Sequence, residues 1–229
     1  MKLRGVLFDL DGTLLDLDLD VFLKRYFFAL GSAASPHFPG IDFLGTVLAS
    51  TSAMQRPHPG RTNKEVFDED FRTRTGVDLA DHREVLDAFY RDVFPNLGDG
   101  YGPARGGLAA IETARALGLR VAVATQPIFP AAAIAHRLAW AGLAGVRFDA
   151  VTTYETMTAC KPQPAYFEQT AAMIGCEPEA CLMVGDDRSL DLPAADVGMR
   201  TFYVGSDPEA IANHSGTLGD LAGLLRRLV

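Results

Sequence analysis

The sequence predicts an α/β protein: a parallel sheet flanked by helices, with a helical segment inserted after the first strand. Three observations carry this. Apolar runs at residues 4–8, 119–124 and 180–185 each end at a small or acidic residue, as buried parallel strands do. Helical patterns lie between the later runs, and that alternation implies βαβ units. Residues 16–98 break the alternation with several helical stretches and no clear strand, a separation far beyond an ordinary crossover.

Taken in order, the first strand runs into Asp9-Leu10-Asp11-Gly12-Thr13. Helices are then expected at 17–30, 41–55, 63–74 and 82–94, punctuated by Pro36, Pro39-Gly40, Pro57, Pro59-Gly60 and Gly76. Thr62-Asn63-Lys64-Glu65 has the spacing of a capping box and opens the third of these. The helical segment, 16–98, reads as a small second domain over the sheet's C-terminal edge, with 1–15 and 99–229 forming the main domain. There the helices 104–117, 130–141 and 164–174 stop at Gly118, Gly142 and Gly175, each a plausible position just past a helix end. Two further strands are expected at 148–152 and 200–204.

Composition narrows the function classes. The 229 residues are 48% hydrophobic and 22% charged with a net charge of −8, which suits a globular protein with a real core. No basic stripe offsets the negative charge, so nucleic acid is disfavoured as a partner. No stretch approaches the ~20 apolar residues of a membrane span. The run Val6–Phe8 stops too early for a signal peptide. Cys160, Cys176 and Cys181 are odd in number and form no C-x-x-C pattern. They read as small buried side chains in a reducing, cytoplasmic setting.

An abrupt pair of acids at a strand end is not a core feature, and in open α/β sheets ligands bind outside the carboxyl ends of the strands. Four polar markers share that edge: Asp9 and Asp11; Thr125; Lys161; and the group Gly185-Asp186-Asp187-Arg188-Ser189-Leu190-Asp191. Bringing five carboxylates together is costly. Two like charges 4 Å apart repel by about 4 kcal/mol at an effective dielectric of 20. Such a cluster takes up protons or a cation, and hard oxygen ligands suit Mg²⁺. Lys161 adds a fixed positive charge, and the Thr125 hydroxyl can donate to a phosphoryl oxygen. Nucleophile, metal, lysine and hydroxyl together describe phosphoryl transfer.

Asp9-Leu10-Asp11-Gly12-Thr13-Leu14 resembles the first motif of the haloacid dehalogenase superfamily. Thr125 resembles its second motif, Lys161-Pro162 its third and Gly185-Asp186-Asp187-x-x-x-Asp191 its fourth, in the family's order. The resemblance implies a Rossmann-like parallel sheet core and reads 16–98 as an α-helical C1-type cap. It implies a Mg²⁺-dependent phosphatase for a small phosphorylated metabolite, with Asp9 as nucleophile and Asp11 as acid/base. The metal would be held by Asp9, the Asp11 carbonyl and Asp186, with Asp187 or Asp191 acting directly or through water. Thr125 and Lys161 would hold the phosphoryl group, with Gly12, Thr13 and Gln126 lining its site. Dehalogenases and phosphonatases of the superfamily lack a carboxylate at the position of Asp11, which favours phosphate ester chemistry here. Gln126 departs from the Asn often found there, reaching one methylene further.

The loop Gln55–Asn63 resembles the specificity loop of related caps, with Arg56 and Arg61 as candidates to grip a substrate carboxylate or second phosphate. A solvated loop capped by Thr62 is the plainer alternative. His58 reads as a surface residue and Trp140 as core. Two other functions use the same residues: a phosphomutase returning the group to a sugar, and a catalytically weak binding protein. Monomer and homodimer are both compatible with the sequence.

Overall fold

A computed structural model describes residues 2–229. Six strands form one parallel sheet: β1 (Gly5–Phe8), β4 (Arg120–Val123), β5 (Ala150–Val151), β6 (Cys181–Gly185), β7 (Arg200–Val204) and β8 (His214–Gly216). Their order is β5-β4-β1-β6-β7-β8. The chain therefore reverses direction across the sheet at β1, which lies between β4 and β6. That reversal is where α/β sheets open a crevice.

A second, two-stranded antiparallel ribbon pairs β2 (Leu15–Asp16) with β3 (Gly102–Pro103). Between them the described chain is helical: α1 (Leu19–Ala34), α2 (Phe43–Met54), α3 (Asn63–Thr75) and α4 (Arg83–Ala88), with 3-10 turns. The expected fourth helix is partly irregular, because α4 runs into a π-helical turn at Phe89–Val93 and a 3-10 turn at Phe94–Gly98. Helix α3 opens on the expected capping box, Thr62 N donating to Glu65 Oε2 and Glu65 N to Thr62 Oγ1.

The remaining helices are α5 (Gly107–Ala116), α6 (Ala131–Trp140), α7 (Pro164–Met173) and α8 (Leu218–Leu228). The glycines expected to end α5, α6 and α7 all take positive φ. The strand expected at 148–152 is only two residues long. The Asp149 carboxylate takes the Val121 N–H at 2.8 Å, where a longer strand would offer a carbonyl.

One apolar cluster joins the sheet to the helical insert. Phe8 and Val123 belong to it with Phe22, Tyr26, Phe71 and Phe94, and Ile134 of α6. Trp140 is half-buried, stacked on Phe94 at 5.4 Å. All three cysteines are buried and unpaired. Among the described residues, no helix is long and apolar enough to cross a membrane.

Candidate active site

The strand register brings the polar markers together. Phe8 lies beside Val123 on one side and Val184 on the other. Asp9, Thr125 and Asp186 therefore emerge at three neighbouring strand ends, within one or two residues of the last paired position. Thr125 is buried, and its carbonyl accepts from the Thr152 and Tyr166 hydroxyls, both at 2.8 Å.

After Asp9 the chain turns back at once, with the Leu10 carbonyl accepting from the Leu14 and Leu15 amides at 2.9 and 2.8 Å. Gly12 makes this turn possible. Its φ is +80°, and a Cβ there would lie 2.2 Å from Asp186 Oδ2. The next residue, Thr13, donates its hydroxyl to Asp186 Oδ1 at 2.7 Å. Gly12 and Thr13 thus seat Asp186.

Lys161 is 1% exposed, and its ammonium donates to Asp9 Oδ1 at 2.6 Å and Asp191 Oδ1 at 2.5 Å. Burial alone lowers a lysine pKa, but the carboxylates of Asp191 and Asp9 outweigh it and raise this one. Lys161 is a fixed cation. Gln126 holds its main chain from both sides: Lys161 N donates to Oε1 at 2.9 Å, and Nε2 donates to the Lys161 carbonyl at 3.1 Å. The extra methylene of Gln126 is used to span this loop.

Asp9, Asp186 and Asp191 each offer an oxygen, all within 4.8 Å of one another. Burial first, then the Asp9 carboxylate, push Asp186 up to about 6. A divalent cation would relieve that repulsion, so the donor set fits a hard metal. The fourth-motif acids divide by what they touch. Asp191 is 1% exposed and gives one oxygen to Lys161 and the other to the Asp187 amide at 3.0 Å. Asp187 is exposed, and its Oδ1 accepts from the Ser189 and Leu190 amides at 2.7 and 3.0 Å. Asp187 therefore closes a turn and stands outside the cluster.

A further residue enters that the sequence reading did not single out. Arg137 on α6 is 1% exposed, and its Nη1 donates to Asp11 Oδ2. Its guanidinium carbon lies 4.5 Å over the Phe129 ring. Burial raises the Asp11 pKa more than Arg137 lowers it. The available signal was a lone arginine on an apolar stripe: Ala133, Ile134 and Arg137 form the buried face of α6.

The insert loop is tied to the sheet beside Lys161. Asn63 is buried, donating its amide to the Met157 carbonyl and Nδ2 to the Pro127 carbonyl, at 2.8 and 2.9 Å. Gln163 Nε2 donates to the Gln55 carbonyl at 3.0 Å. His58 is drawn in rather than left at the surface, because Nε2 pairs with Asn63 Oδ1 at 2.8 Å. Arg61 is exposed, pairing with Glu69 and donating to the Glu65 carbonyl. Arg56 is also exposed. Among the described residues, no hydrogen bond or ion pair joins either arginine to the aspartates of the site or to Lys161.

A parallel α/β sheet with an acidic pair at its central strand end, a buried lysine and a third acid brings the makings of a hydrolase site to one edge. The model of the haloacid dehalogenase-like hydrolases matches residues 3–197, and the chain belongs to that family. Pyrophosphatase PpaX from Halalkalibacterium halodurans is 24% identical over 99% of this chain and 100% of its own. Among solved structures, a HAD phosphatase from Thermococcus onnurineus is similar with TM-score 0.62 and 23% identity, covering 97% of this chain and 98% of its own. A 2-haloacid dehalogenase from Pseudomonas syringae pv. Tomato DC3000 has TM-score 0.64 and 19% identity, covering 99% of this chain and 100% of its own. Those two likenesses speak for the fold.

Proposed function

We propose that this hydrolase is a Mg²⁺-dependent phosphatase of a small phosphorylated metabolite, working through an aspartyl-phosphate at Asp9. The observation that carries this is Lys161 against Asp9, with Asp186 beside it and a second carboxylate, Asp11, two residues on. Carbon–halogen cleavage gives a carboxylate at Asp11 nothing to protonate in this way.

In the first step an Asp9 carboxylate oxygen attacks phosphorus. The ester P–O bond breaks, and the leaving oxygen takes a proton from Asp11. In the second step water attacks phosphorus and gives its proton to Asp11. The bond from phosphorus to Asp9 breaks, releasing inorganic phosphate. Lys161 and the Thr125 hydroxyl neutralise and orient the transferring group. A divalent cation held by Asp9, Asp186 and the Asp11 carbonyl would supply further charge neutralisation. Asp191 fixes Lys161.

Asp9→Asn is expected to abolish phosphate release from p-nitrophenyl phosphate, as is removal of divalent metal by chelation. Full turnover in either condition rules out the mechanism. An isomerised sugar phosphate in place of inorganic phosphate would mark a phosphomutase.

A further inference from the structure

We propose that Arg137 is a positioning residue for the acid/base: it fixes Asp11 through Oδ2 and leaves Oδ1 as the oxygen that carries the proton. The inference rests on the phosphatase reading above. Arg137 reaches Asp11 from α6, a helix of the sheet domain and not of the insert. On Asp11, Oδ2 is taken by Nη1, while Oδ1 is buried with no partner among the described residues. An oxygen gripped by a guanidinium is a poor proton carrier, because arginine donates and never accepts. By elimination the transferable proton rides on Oδ1. It leaves Oδ1 for the departing oxygen as the P–O bond breaks, and the attacking water returns one.

The arginine itself looks like a part with a task. A purely structural guanidinium normally has its donors satisfied. Here, among the described residues, Nε and Nη2 are buried and unpartnered, and the guanidinium carbon lies over the rings of Phe129 at 4.5 Å and Phe22 at 6.0 Å. Asp11 is its one ion-pair partner among the described residues. A planar fork packed on aromatic rings is also rigid. It therefore defines where the Asp11 carboxylate stands, more closely than the flexible stem of a lysine would.

The test compares p-nitrophenyl phosphate with phenyl phosphate, two substrates of similar shape. Phenolate is the poorer leaving group and depends more on the proton from Asp11. Arg137→Met should lower kcat/KM on phenyl phosphate at least tenfold more than on p-nitrophenyl phosphate. Asp11→Asn should show the same selectivity, and the double variant should be no worse than Asp11→Asn. Arg137→Lys should recover part of the loss. The ratio between substrates does not depend on the folded fraction, and Arg137→Lys carries the test where Arg137→Met gives no soluble protein. An equal fall on both substrates, or additive losses in the double variant, overturns the assignment. Asp9→Asn separates the two levels: retained turnover there removes the phosphatase reading, whereas a dead Asp9→Asn with an equal fall in Arg137→Met removes only the role of Arg137.

Discussion

Removing Asp11 should destabilise this protein, which is opposite to the usual effect of deleting one acid from a cluster of like charges. Working sites hold like charges together, so trimming one acid commonly relieves strain. Here Asp11→Asn would strip from a guanidinium that is 1% exposed its one ion-pair partner among the described residues. Breaking a buried ion pair by removing one member costs about 3–5 kcal/mol. Burial already works against the Asp11 charge, so the low end applies, about 3 kcal/mol. For a chain of this length, 1 kcal/mol moves Tm by about 2–4 °C. The expected drop is therefore about 6–12 °C for metal-free protein in calorimetry. Arg137→Met combined with Asp11→Asn should return most of it, because an apolar replacement of the whole pair is often neutral or better. Asp11→Asn protein as stable as the parent, or a double variant less stable than Asp11→Asn, would refute the reasoning.

Three other outcomes follow from the same geometry. Asp186 has an ordinary value of 3.8 and a folded value of about 6, so between these pH values the native state holds a proton that the unfolded chain has lost. Stability of the metal-free protein from this group should fall as pH rises from about 4 to 6, by about 3 kcal/mol. Asp186→Asn should remove that slope in thermal melts with chelator, and saturating Mg²⁺ should reverse it. The same slope in Asp186→Asn would exclude Asp186 as its source. Gly12→Ala places a Cβ 2.2 Å from Asp186 Oδ2 at φ +80°. Metal affinity by calorimetry should fall at least tenfold, beyond the ~1–2 kcal/mol of backbone strain, and unchanged affinity would count against Asp186 as a ligand. Gln126→Ala removes both bonds to the Lys161 main chain, a loss of about 1–3 kcal/mol. It should cut kcat/KM about tenfold or more while circular dichroism stays unchanged; undiminished turnover would show that the loop holds Lys161 without it.

Much of the site was legible because its chemistry sits at strand ends. Apolar runs that stop at Asp9, at Thr125 and just before Asp186 place those residues on one edge whatever the loop details. Lys161 was legible from its proline and its order in the chain. The rest depended on which partner wins each polar atom. Nothing in Asp187 and Asp191 as letters says that one caps a turn and the other grips a lysine. Arg56 and Arg61 looked free in a loop of prolines and glycines, yet Glu69, four residues into the helix from Glu65, pairs with Arg61. Strand β8, His-Ser-Gly, has no apolar signal and shows itself only by its pairing with β7. The ribbon of β2 with β3 joins residues more than 80 apart with two positions each, too little for any local pattern to mark.

Asp9 and Asp11 are each paired with a buried cation, and neither cation comes from the helical insert. Lys161 precedes α7 and holds Asp9; Arg137 lies on α6 and holds Asp11. Both charges are therefore set by the sheet and its flanking helices before any substrate arrives. Such fixed charges act without reorganising during the reaction. The insert loop reaches this edge through other means, the Asn63 and Lys64 amides on the Met157 and Tyr154 carbonyls and Asn63 Nδ2 on the Pro127 carbonyl. These bonds carry no net charge, so the loop can change its exposed residues, Arg56 and Arg61 among them, without disturbing the electrostatics at Asp9. The charges at Asp9 and Asp11 and the exposed residues of the insert loop thus rest on separate sets of contacts. Asn63, through Met157 and Pro127, is one of the places where the insert loop and the sheet edge meet, and a substitution there would disturb both.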